Sequence, residues 1–121
     1  MSREYKYDVA ISFLQEDEQL AIEIADRLSD RVNVDVFIYS KRQNELVGKD
    51  GLEAFSGVFG EQSRVVVVLH REKWGRTAWT GVEETAIKNR GIEGEQGWDF
   101  LLLIRLDMSA AIPKWLPRTR I

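Results

Sequence analysis

Apolar residues in this chain fall into short unbroken runs, separated by stretches in which they recur at helical spacing. Tyr7-Asp8-Val9-Ala10-Ile11-Ser12-Phe13 reads as a buried strand ending at a polar residue. Glu16, Asp17 and Glu18 then put negative charge in a first helical turn, where the helix dipole favours it. Leu20, Ala21, Ile24, Ala25 and Leu28 continue that helix to about Arg31. Val34 to Tyr39 is a second strand, followed by a polar loop from Ser40 to Asp50. Asp50 can cap a short helix with Leu52, Phe55, Val58 and Phe59 on its face and Gly60 as its stop. Arg64 to Leu69 holds Val65-Val66-Val67-Val68, a β-branched run without alternation, the mark of a strand covered on both faces. After His70, a loop with Trp74 and Gly75 leads to a helix that starts near Thr77 and ends near Arg90 and Gly91. Gly91 to Gly97 is a polar turn, and Trp98 to Ile104 a fourth strand, also read as buried on both faces. The tail from Ile112 to Pro117 is irregular, because prolines resist regular pairing.

Strands alternating with helices in this order imply right-handed crossovers and the α/β class, an open parallel sheet with helices on both faces. The expected strand order is flavodoxin-like. No repeat, low-complexity segment or linker divides residues 1–121, so a single domain is expected. The chain stops at Ile121, where another strand could begin. That reads as a domain excised from a longer protein, with the last strand and helix missing or truncated.

The helix from Thr77 carries the candidate chemistry. At 100° per residue, Trp79, Val82, Ala86 and Ile87 gather on one side, and Glu83 falls inside that arc. Glu84 rotates out of it, beside Thr80 and Lys88, toward solvent. A glutamate aimed at an apolar wall has a raised pKa, and such groups cluster at functional sites. The plainer alternative is a core glutamate satisfied by a backbone amide or an arginine.

Composition removes several function classes. The net charge of −3 and the pI near 5.2 leave no basic excess for phosphates, which argues against direct nucleic-acid binding. The absence of cysteine removes disulfides, thiolate nucleophiles and cysteine metal sites, and a single histidine, His70, rules out a multi-histidine centre. The longest apolar run, Phe100 to Ile104, is too short to span a bilayer, so no membrane is expected. The polar first residues do not form a signal peptide, and the expected address is the cytoplasm.

In a flavodoxin-like sheet, ligands sit beyond the carboxyl ends of the strands, where the connection direction switches. Here that crevice lies between the ends of the first and third strands, walled by Ser12, Phe13, Leu14, Leu69 and His70. The loop from Ser40 to Asp50 hangs over the same edge, and the inward face of the Glu83 helix can reach it. Gly48-Lys49-Asp50 is not a phosphate loop, since Gln43 replaces the expected glycine and Asp50 the Ser or Thr. No dinucleotide glycine fingerprint follows the first strand, and no nucleophile elbow exists. His70 fits a polar group at a strand end better than a base. Lys41 and Arg42 can meet a substrate phosphate or stand as solvated loop charge. Trp74 can stack on a flat ring or fold back over the core.

Taken together, these residues resemble the bacterial Toll/interleukin-1 receptor (TIR) domain over nearly the whole chain. Tyr7 to Phe13 resembles the family's first strand and Val36-Phe37-Ile38 its second. Leu46-Val47-Gly48-Lys49 resembles its BB loop, and Trp79-Thr80-Gly81-Val82-Glu83 its Trp-x-x-x-Glu segment. The resemblance implies cleavage of NAD at the nicotinamide–ribose bond, by hydrolysis or cyclisation, with Glu83 catalytic. It implies NAD as substrate, no separate cofactor and no metal. Phe13 takes the aromatic position against the ligand, with Ser12 and Leu14 beside it, and Lys49, Trp74 and Trp79 edge the pocket. It further implies an effector domain of a bacterial anti-phage immune protein, attached to a sensor domain. Activation comes from homotypic assembly through the loop Ser40 to Gly51. The alternatives are a TIR domain that acts only as an interaction module, and a flavodoxin-like nucleotide or flavin binder. The family's usual tyrosine after the first-strand serine is Phe13 here, the arginine often next is Leu14, and Thr80 stands where many members carry cysteine.

Overall fold

The computed structural model describes residues 5–32, 34–38, 56–94 and 97–121, with the backbone alone at 31, 32, 78 and 79. Strands β1 (Tyr7–Ser12), β2 (Val36–Phe37), β3 (Ser63–His70) and β4 (Leu101–Arg105) pair in parallel in the order β2-β1-β3-β4. Helix α1 (Glu18–Val32) joins β1 to β2, and α2 (Ala78–Glu93) joins β3 to β4. This is the flavodoxin-like α/β arrangement that the alternation implies. No helix among the described residues is long and apolar enough to cross a membrane.

Register decides which side chains face which helix. Ala10 lies opposite Val66 and Ser12 opposite Val68, while Ile11 lies opposite Val67. Because side chains alternate along a strand, Ala10, Ser12, Val66 and Val68 share one face, and Ile11, Val67 and Leu69 the other. Ala10, Val66 and Val68 pack with Ala86 and Ile87 of α2, together with Phe59 and Trp74. Ile11, Val67 and Leu69 pack with Ala21 and Ala25 of α1. The valine run of β3 is therefore covered on both faces, as a central parallel strand requires.

Four local expectations change. Before β3, a π-helical turn over Val58–Gln62 buries Val58 and Phe59, and it runs through Gly60 instead of stopping there. The Ser63 hydroxyl closes that turn by donating to the Val58 carbonyl at 2.8 Å. Residues 50–55 of the expected helix, and Tyr39 of the second strand, lie outside the described residues. Second, α2 continues past Gly91 to Glu93, because Gly91 serves as a seat for the Trp98 ring. Third, residues 97–100 form a turn ahead of β4. Fourth, β4 is not covered on both faces: Leu101 and Leu103 are buried, whereas Leu102 and Ile104 are 44% and 36% exposed. It is the last strand of the described sheet, beyond the reach of α1.

Candidate functional site

The loop after β3 is shaped to aim α2 at the end of β1. Thr77 caps the helix, its hydroxyl accepting from the Thr80 backbone N–H at 3.1 Å. The Thr80 hydroxyl accepts in return from the backbone N–H groups of Thr77 and Gly75, at 3.3 and 3.0 Å. This is a capping box with threonine in the third helical position, where Glu or Gln is usual. It buries Thr80, which the helical rotation had put on the polar side. Gly75 has φ +89°, a left-handed conformation that glycine adopts without strain, and the turn it makes sends Trp74 back over the core.

One turn into α2, the inward rotation predicted for Glu83 holds, whereas the solvent-facing rotation predicted for Glu84 does not hold in full. Glu83 is buried, at 4% exposure, and accepts a short hydrogen bond at Oε1 from the Ser12 hydroxyl. Ser12 is the last residue of β1, fully buried, and its oxygen accepts from the Trp74 indole N–H at 2.8 Å. Burial pushes the Glu83 carboxyl up from 4.5 to about 8, with the Ser12 bond pulling weakly the other way. Glu84 is half-buried, not fully solvated, and accepts from the Trp115 indole at 3.3 Å.

Around this centre lie charged groups at the same ends of the strands. Arg71, just past β3, grips Asp17 through Nε at 2.8 and 3.0 Å. Asp17 is buried in the 3-10 turn that follows β1, so the pair ties the two strand ends together. His70 is buried, with Nδ1 lacking a hydrogen-bond partner among the described residues. Its pKa is lowered by burial and next by the Arg105 charge, with Asp107 opposing. His70 is the last residue of β3.

Of the residues singled out from the sequence, the structure brings together Glu83, Ser12 and Trp74. Leu14 is buried in the α2-side core. Phe13 packs against the α1-side cluster, on the opposite face from Ser12. The Trp79 side chain, Lys49 and the loop Ser40 to Gly51 lie outside the described residues. Sequence reasoning missed the Asp17–Arg71 pair, the Thr77–Thr80 box and the hydrogen bond from Trp74 to Ser12. A readable signal existed only for the box, in the Thr77-x-x-Thr80 spacing ahead of an apolar stripe. The other two depend on loop paths that periodicity does not encode.

An inward carboxyl, its pKa raised by burial and bonded to the Ser12 hydroxyl, sits at the carboxyl end of β1, one of the two central strands of an open parallel sheet. That is a binding or catalytic position in α/β folds of this order. No family model matches the chain. Over 106 residues, 88% of the chain, it is 26% identical to the 3' cyclic ADP-D-ribose synthase AaTIR of Aquimarina amphilecti. The chain spans 32% of that relative's length. The likeness, with the sheet order, supports a TIR-like domain.

Proposed function

We propose that this chain is an NAD-cleaving TIR domain that breaks the nicotinamide–ribose bond, with Glu83 as the reacting carboxylate. The observation that carries the reading is the Glu83 carboxyl itself, desolvated and held at the end of β1 with a pKa of about 8. Likeness to a synthase of a cyclic ADP-ribose supports the substrate class. Nicotinamide in NAD is already cationic and departs neutral without protonation. The electrons of the broken bond leave with it, and positive charge develops on the ribose ring. A carboxylate beside that ring stabilises the oxocarbenium-like transition state. The cationic ring also supplies the counter-charge that ionises a buried acid. Water captures the ribosyl centre to give ADP-ribose and a proton; a hydroxyl of the same molecule captures it to give a cyclic product.

In this reading the domain is the effector part of a cytoplasmic bacterial anti-phage protein with a separate sensor domain. Assembly through the loop Ser40 to Gly51 completes the pocket, with Lys49 and Trp79 at its edge and Ser12 holding Glu83; Phe13 and Leu14, packed against the two cores, support the strand end from which Ser12 projects. The test is nicotinamide release from NAD by concentrated protein. Glu83→Gln is expected to lower turnover by about 100-fold or more, while Glu84→Gln retains it. Equal loss in both variants refutes the assignment.

A second reading, a non-catalytic TIR interaction module, is favoured by one observation: Glu83 is buried with its carboxyl already satisfied by Ser12. Under that reading Glu83→Gln lowers the melting temperature sharply and no condition of assembly yields nicotinamide.

A further inference from the structure

The polar chain behind Glu83 continues past Ser12. The Ser12 hydroxyl has a single proton, and it goes to Glu83. Its oxygen is filled from the other side by the Trp74 indole, which can only donate. The donor-only indole fixes its own end of the chain, and an ionised Glu83 can only accept, so in that form the chain runs from Trp74 to Ser12 to Glu83. With one of its two lone pairs occupied, the serine hydroxyl has fewer orientations to choose from, and an ionised Glu83 takes its proton. Bonds in such a chain polarise one another, so the indole also makes Ser12 a better donor to the ionised form. Trp74 is buried, its ring packed in the α2-side core and its N–H already committed to Ser12. His70 lies against the same indole, with ring centroids 6.0 Å apart.

We propose that Trp74 is a positioning residue, which acts on Glu83 through the Ser12 hydroxyl and does not touch the substrate. The inference rests on reading Glu83 as the reacting carboxylate.

The test compares the wild-type chain with Trp74→Phe and Ser12→Ala, using Glu83→Gln as control. Phenylalanine keeps a ring in the core but has no N–H. Steady-state NAD cleavage should show kcat lowered about tenfold in Trp74→Phe, with KM for NAD within about twofold. A raised KM at unchanged kcat places Trp74 on the substrate and overturns the proposal. Independently of activity, carbon NMR of the Glu83 carboxyl should show its titration midpoint moved upward in both variants, further in Ser12→Ala. If Trp74→Phe does not fold, the wild-type indole N–H resonance of Trp74 takes its place. That resonance should move with the midpoint of the Glu83 carboxyl, and the step should vanish in Ser12→Ala and in Glu83→Gln. A step caused by His70 falls below that group's ordinary value of 6.5 and survives in Glu83→Gln. An indole resonance that ignores the Glu83 titration overturns the relay. Activity that survives in Glu83→Gln overturns the proposed function, whether or not the indole and the carboxyl titrate together.

Discussion

Glu83 and Glu84 are neighbours in sequence with different surroundings, and the difference has consequences for stability. In the unfolded chain the Glu83 carboxyl ionises near 4.5, and in the folded chain at about 8. Between those values the folded state holds a proton that the unfolded state has lost. Stability therefore falls as pH rises. The contribution of the neutral acid is complete below about pH 4.5 and is gone above about pH 8, a change on the order of 5 kcal/mol. Melting temperatures measured from about pH 5 to about pH 9 should decline in the wild type and stay flatter in Glu83→Gln. The variant should be the more stable protein at the alkaline end, and parallel curves would show that the acid is not desolvated. The inward rotation was legible in the sequence because a helix fixes it locally, at 100° per residue. The destination of Trp74 was not: it follows from a left-handed Gly75 and from a serine more than sixty residues away.

At the scale of elements, α2 is held at both ends by close approaches. At its start the Thr77–Thr80 box fixes the first turn, and near its end Gly91 lets the six-membered ring of Trp98 lie against the helix backbone. Trp98 in turn stacks on Trp115, at 5.4 Å between centroids and 21° between planes. Gly91→Ala sets two effects against each other. Alanine favours helix by about 1 kcal/mol over glycine, whereas a methyl driven into a packed indole costs about 1–3 kcal/mol. The stack leaves Trp98 little room to yield, so the overpacking should win. The denaturant midpoint should fall by the equivalent of up to about 2 kcal/mol, with a change in tryptophan fluorescence; a stabilised variant would mean the ring lies elsewhere. The sequence pattern marked Gly91 as a helix end, since a glycine near the last periodic residue usually is one. It marked β1, β3 and α1 well, because their patterns are set by what covers them. The open face of β4 escaped notice, because an apolar run reads alike whether or not a helix lies over it.

For the whole molecule, the sheet is a divider between two cores of unequal extent. On the α2 side, apolar packing continues outward through Leu101 and Leu103 to Trp98, Trp115 and Leu116. On the α1 side, the row from Ile11 through Val67 and Leu69 runs on across the register to Leu102 and Ile104, where the cover given by the described residues stops. Adjacent residues of one strand should therefore respond very differently to the same truncation. Leu103→Ala removes a side chain buried to 1% exposure and should cost about 2–5 kcal/mol, the range for core leucines. Leu102→Ala, at 44% exposure, should cost well under about 1.5 kcal/mol, because much of its surface is already in water. Exposed apolar groups on an outer strand instead favour contact between molecules. Replacing Leu102 and Ile104 together by lysine should leave the melting temperature nearly unchanged while lowering light scattering at high protein concentration. A large fall in melting temperature in that double variant would show that the α1-side core reaches over β4 after all, and that the two faces of the sheet are sealed alike.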